Sequence, residues 1–211
     1  MSEVPNVTTP FAPAQLVAAV QAAYCAQLGH DPTHATLAIL CAHVALETGN
    51  GRACEDWDVG NFKAAASGDW DSFPTWEMVN GVRVPMVCKF AAFASLEQGV
   101  EAYLVAMYTR WTLAWSAAVA GDAEGFALGL HDQKPYPYYT ADPASYVAGV
   151  SRWASYYRAI LGGDPAVTEP ELLTPGAAAA LATEGLLDEP DLTDLGSASL
   201  AEAPDDDPLT P

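Results

Sequence analysis

Basic residues are scarce in this chain. Eight Lys and Arg stand against 27 Asp and Glu in 211 residues, a formal net charge of -19. A nucleic-acid partner needs a basic footprint, so that class is excluded. Long apolar runs are missing too: none reaches the ~18 residues of a transmembrane helix, and no membrane insertion is expected. The opening stretch, MSEVPNVTTPF, lacks the basic and apolar regions of a secretory leader,. If the protein works outside the cytoplasm, another machine is expected to carry it there. Cysteine is sparse. Cys25, Cys41, Cys54 and Cys88 form no CxxC pair, which excludes a zinc site or disulfide framework and leaves free thiols acting as small apolar residues. There is no HExxH, no glycine-rich phosphate loop and no GxSxG elbow, so neither a metal nor a cofactor is expected. Internal repeats are absent.

What the chain does have is apolar bulk. Hydrophobic residues make up 51% of it, with abundant alanine, and this length and composition favour one domain of packed helices with an appendage. Charge is uneven: residues 164–211 hold 12 of the 27 acids and none of the eight bases. The shift falls at LGGDP. Three parts are expected: an N-terminal arm over 1–12, a body over 13–162, and an acidic Pro/Ala-rich tail over 163–211. The tail's composition reads as flexible or ordered by a partner.

Within the body, a first helix is expected from Pro13 to Leu28, stopped by Gly29. HDPTHATLAILCAHVALETG follows, with Asp31 as N-cap and Pro32 in the first helical position. Its residues are apolar nearly all round, the mark of a buried helix, and Gly49 is a natural left-handed stop. Residues 50–75 read as irregular. Asn80-Gly81 between β-prone runs signals a hairpin, and Pro85 confines its second strand to an edge. Ser95 and Gln98 match a capping box. Val100, Tyr103, Leu104, Met107, Tyr108 and Trp111 keep helical spacing. A short helix is expected over about 123–130. A last one starts near Asp142-Pro143, with a stripe of Tyr146, Val147, Val150, Trp153, Tyr157 and Leu161.

Glu47, in VALETGNG, sits in the last turn of the buried helix. A helix C-terminus and apolar surroundings both disfavour a carboxylate and raise its pKa. An acid still protonated near neutrality is what protonating a glycosidic oxygen requires. Glu77, just before Asn80-Gly81, is a second acid that a hairpin beside the helix end can bring to a cleft. Two carboxylates across a cleft suit glycoside chemistry. Trp57, Trp70, Trp76 and PYPYYTAD offer flat faces for sugars, and Asn61 and Lys63 can hydrogen-bond an acetamido or carboxylate group. His43 lies four residues before Glu47 and shares its helix face, but a metal site would need further ligands.

The order of motifs is itself specific. ALETGNG, VGNFKA, TWEMVNG, KFAAFASLEQGVEAYL and YYTADPASYVAGV, spread over residues 13–161, resemble the peptidoglycan-cleaving glucosaminidases of the lysozyme superfamily, in particular glycoside hydrolase family 73 of flagellar and phage type. The resemblance implies a lysozyme-like α+β fold, mainly α, with a small β-hairpin lobe over a sugar-binding cleft and the acidic tail outside it. It makes Glu47 the general acid. Asn61, Phe62, Lys63 and Ala64 match a segment that lines the cleft, without the glycine that usually separates Phe and Lys. Thr75-Trp76-Glu77 matches a strand bearing a second acid, so Glu77 is the expected second catalytic carboxylate. Tyr138, Tyr139 and Tyr146 match positions that hold the sugar and the acid, with TADP in place of TDP.

The implied activity is hydrolysis of β-1,4 glycosidic bonds in peptidoglycan, of endo-β-N-acetylglucosaminidase type. The alternatives are a lytic transglycosylase of the same fold and a lysozyme-like structural subunit of a phage tail or injection machine. The expected partners are glycan strands, with tail or secretion-machine proteins meeting the acidic tail. The expected setting is a virion, or the cell wall or periplasm reached by another machine.

Overall fold

Pro13 and Gly29 bracket the first helix as the sequence leads one to expect. The computed structural model describes residues 2–65, 68–79, 82–139, 142–163 and 168–170. In chain order these form α1 (Pro13–Leu28), α2 (His34–Thr48), β1 (Asp69–Val79), β2 (Val82–Ala92), α3 (Leu96–Thr109), α4 (Thr112–Ala120), α5 (Ala123–Asp132) and α6 (Pro143–Leu161). Gly29 takes the left-handed conformation at φ 74° and closes α1 on the Cys25 carbonyl.

The centre of the molecule is α2. Every residue from Thr36 to Leu46 is buried, because α1, α4 and α6 pack around it. No polar face is left, in keeping with its unbroken apolar sequence. Its start differs from expectation. Thr33, not Asp31, is the N-cap, accepting the Thr36 N–H on Oγ1 at 3.1 Å,. Asp31 is drawn back to α1 instead, where Cys25 Sγ and Gln21 Nε2 donate to it. The end of α2 is as expected: Gly49 is left-handed at φ 58°. Asn50 (φ 57°) and Gly51 (φ 83°) continue that conformation, and the Tyr157 hydroxyl donates to Asn50 Oδ1 at 2.6 Å.

β1 and β2 form an antiparallel hairpin in which Asp69 pairs with Ala92 and Val79 with Val82. The hairpin reaches back to Asp69, into a stretch that reads as irregular from its Asp, Ser and Pro content. The Asn80-Gly81 turn lies outside the described residues. The segment before the hairpin joins it. The Ala91 N–H donates to Phe62 O at 2.9 Å and the Ala64 N–H to Lys89 O at 3.1 Å, so Lys63 bridges Phe90. That is the local course of the backbone between Phe62 and Lys63, where the motif it resembles carries a glycine.

The helical stripe ending in Trp111 is two helices. α3 stops at Thr109, and Trp111 caps α4, which the sequence reading did not separate. Ser95 accepts the Gln98 N–H on its hydroxyl, but the Gln98 side chain accepts from Ala94 N–H rather than from Ser95 itself. Asp142 caps α6 through the Ser145 N–H at 3.3 Å.

The arm before α1 is stitched to the body. Val4 N–H donates to Trp70 O, Asp56 N–H to Val7 O and Thr9 N–H to Cys54 O. At the other end, both terminal nitrogens of Arg52 bond the Glu169 carboxylate, at 2.5 and 3.2 Å. The four cysteines are free thiols. The stretch 171–211, most of the acidic tail, lies outside the described residues.

Candidate active site

Glu47 stands one residue before the end of α2, and only 2% of its side chain is exposed. Two side chains donate to its two oxygens. The Tyr146 hydroxyl, from the first turns of α6, reaches Oε1 at 2.6 Å, and Asn61 Nδ2 reaches Oε2 at 3.1 Å. A third polar atom, His43 Nε2, lies 3.6 Å from Oε1. Burial pushes the Glu47 pKa up to about 7, although the bonds from Tyr146 and Asn61 pull the other way,. Tyr146 itself is pushed well above the ordinary phenol range, by burial first and by Glu47 second, so it remains a donor.

The loop over 50–61 builds the wall beside this acid. Asn50, Asp56, Trp57 and Asn61 all have positive φ, between 44° and 58°, a conformation uncommon for residues with a side chain. The loop is held from several sides. Asp58 Oδ1 accepts the Gly60 N–H at 3.3 Å. Gly60 O accepts the Tyr138 hydroxyl at 2.7 Å. Trp57 N–H donates to Thr9 Oγ1 of the arm at 2.8 Å. Gly99 on α3 lets the loop lie close, since a Cβ there would stand 1.9 Å from Trp57 O. Asp58 is buried, which raises its pKa well above the usual carboxylate range, with Asp71 and Glu47 adding to the effect.

The expected site residues thus divide. Asn61, Tyr146 and Glu47 come together as one hydrogen-bonded group. Tyr138 is buried, and its hydroxyl is used on Gly60 O. Tyr139 is wholly buried, stacked on Tyr146 at 3.9 Å, with its hydroxyl on Ala127 O. Both rings are buried in this structure. They brace the loop and the helix that hold the acid. Lys63 sends Nζ over the Phe90 ring at 4.2 Å, and Trp70 carries Lys89 Nζ at 3.7 Å. Trp57 is half-buried against the core. Across the hairpin Trp76 pairs with Pro85 and Glu77 with Val84, and the side chains of both Trp76 and Glu77 lie outside the described residues. Asp58 and Tyr103 were not singled out as site residues from the sequence. The only sequence signal for His43 was its spacing, one turn before Glu47.

No protein-family model matches the chain, and no curated protein matches it. Solved structures do. A peptidoglycan hydrolase from Sphingomonas sp. A1 aligns at 21% identity over 74% of this chain and 100% of that one, with a TM-score of 0.50. The catalytic domain of the autolysin Auto from Listeria monocytogenes aligns at 17% identity over 72% and 87%, also with a TM-score of 0.50. A C-terminally truncated glycoside hydrolase domain of FlgJ from Salmonella typhimurium aligns at 26% identity over 69% and 95%, with a TM-score of 0.48. The first two share their fold with this chain: mainly helical, lysozyme-like, with one antiparallel hairpin.

Proposed function

We propose that this chain, built on the lysozyme-like fold, is a peptidoglycan hydrolase that cleaves β-1,4 glycosidic bonds of the cell-wall glycan, with Glu47 as the general acid. One observation carries the reading: a nearly buried carboxyl at the end of the central helix, kept protonated to about neutral pH and gripped by donors on both oxygens.

The mechanism follows from the donors. Oε1 accepts from Tyr146, so Oε2 is left to carry the acid's proton while still accepting from Asn61. As the glycosidic bond breaks, that proton passes from Oε2 to the leaving oxygen, and negative charge develops on Glu47. Tyr146 and Asn61 already point at that charge, so they bind the ionised form more strongly than the neutral one, which is the differential binding catalysis needs. The oxocarbenium-like centre is then captured by water, directly or after attack by the substrate's own acetamido group, or by a hydroxyl of the same sugar, which closes a 1,6-anhydro ring. Glu77 on the hairpin is the proposed partner for the water route. The finer activity proposed is that of an endo-β-N-acetylglucosaminidase, which the motif order over residues 13–161 supports.

Glu47→Gln keeps the shape and removes the proton. Release of soluble sugar from purified cell walls should fall by about 10²–10⁴-fold, while circular dichroism stays unchanged. Full activity in that variant would overturn the assignment. Mass analysis of wild-type products separates the routes: a reducing end marks hydrolysis, and a 1,6-anhydro end marks a transglycosylase.

A further inference from the structure

His43 is wholly buried on α2, one turn before Glu47. Four rings surround it: Tyr103 of α3, Phe126 of α5, Tyr138 before α6 and Tyr146 of α6, with centroids 4.7–6.1 Å away. Burial lowers its pKa to about 3, so the imidazole is neutral and carries one N–H,. Which nitrogen holds the proton is decided by Tyr103. The Tyr103 hydroxyl is fully buried, and its hydrogen-bond partner among the described residues is His43 Nδ1, at 2.9 Å. Were the proton on Nδ1, both the Tyr103 O–H and Nε2 would be left without a partner, whereas the other tautomer pairs Tyr103 and leaves only Nε2–H, which at least faces an acceptor,. Tyr103 therefore donates to Nδ1, and the imidazole proton sits on Nε2. Among the described residues Nε2 has no hydrogen-bond partner. The oxygen it faces is Glu47 Oε1, at 3.6 Å.

We propose that His43 is a positioning residue for the acid: its Nε2–H, oriented by Tyr103, waits just beyond hydrogen-bond distance of Glu47 Oε1 and closes on it when the carboxyl gives up its proton. This rests on Glu47 being the proton donor of the reaction. A resting gap has a chemical use. The contact is weak while Glu47 is neutral and strong once it is charged, so it favours the state that follows proton transfer. Tyr146 from α6 and Asn61 from the loop act in the same sense on the two oxygens. Asp58, also from the loop, opposes them, because two neighbouring carboxyls resist ionising together. Among the described residues, Tyr103 and Tyr138 are the other titratable groups against His43.

The tests need no turnover. In protein labelled with ¹⁵N-histidine, the ring nitrogens of His43 should report the Nε2–H tautomer across neutral pH. In ¹³C-carboxyl-labelled protein, with the Glu47 signal assigned by its loss in Glu47→Gln, the titration midpoint of Glu47 should rise by about one pKa unit in His43→Phe. Phe fills the space and removes the donor. His43→Gln puts an amide N–H near the Nε2 position and should restore the midpoint to within about half a unit. An Nδ1–H tautomer in the wild type, or equal midpoints in all three proteins, would overturn the proposal. If His43→Phe does not fold, the wild-type tautomer still decides, and His43→Leu, which also lacks a donor, takes its place in the titration. If Glu47→Gln retains glycosidase activity, the catalytic reading fails, yet the tautomer and the coupling are measured all the same.

Discussion

Near pH 7 His43 is neutral and Glu47 is at about its titration midpoint, and each costs stability in its charged form. Their effects on folding run in opposite directions. In the fold Glu47 keeps its proton up to about pH 7, against an ordinary value of 4.5. The folded protein binds the extra proton between those values, so stability falls as pH rises through that window. His43 behaves in reverse. Its pKa drops from 6.5 to about 3, the unfolded chain binds the extra proton, and stability rises with pH over that range. Glu47→Gln removes only the first effect. The variant should be more stable than wild type at pH 8, by an amount on the order of 3 kcal/mol, with the gain shrinking toward zero near pH 4.5. Thermal melts at the two pH values check this. An equal shift at both would mean that the cost of Glu47 is not ionisation. At this scale the acid was legible in the sequence, because an apolar helix ending at ETG leaves a carboxylate little water. The duties of Tyr138 and Tyr139 were not. Adjacent tyrosines in a loop look like a sugar platform, and only the packing of Gly60 and Ala127 against their hydroxyls reveals them as braces.

Elements were legible where a residue with special backbone freedom marks their ends. Pro13, Gly29, Gly49 and Pro143 delimit three helices as expected. The break between α3 and α4 carries neither proline nor glycine, and its apolar spacing runs on through Trp111, so pattern alone joins the two. The start of α2 was misjudged because two capping residues, Asp31 and Thr33, stand two apart, and tertiary contacts with Gln21 and Cys25 claim the first. The closest helix-to-loop approach described above is at Gly99. Its replacement by Ala drives a Cβ into the Trp57 carbonyl, and the loop that presents Asn61 must move. Gly99→Ala should destabilise the protein by about 1–3 kcal/mol and lower cell-wall activity more than a destabilised but folded protein would show. Denaturant melts alongside activity at 25 °C separate the two effects.

Across the molecule, the N-terminal arm is part of the support for the site rather than an ornament. Asn6 Nδ2 donates to Asp71 Oδ2 at 2.5 Å, and Val7 N–H to Asp56 Oδ2 at 3.3 Å. Asp71 is buried, and its pKa is raised to about 6 by that burial and by Asp56 beside it, with Asn6 holding it down. Asn6→Ala removes the donor that favours the charged form. It should cost about 1–3 kcal/mol at pH 8 and clearly less at pH 5, where Asp71 is largely protonated. Urea unfolding at the two pH values reads this, and a pH-independent loss would count against it. Arm-to-loop stitching is long-range pairing that no local sequence pattern encodes.

The rungs joining residues 62–64 to the hairpin have a mechanical consequence. Phe62 O and Ala64 N–H are tied to β2, and Asn61 is the next residue along the chain. The hairpin is therefore a lever whose short arm ends on the amide that grips Oε2. A shift of the hairpin would therefore reach that amide through a single peptide link.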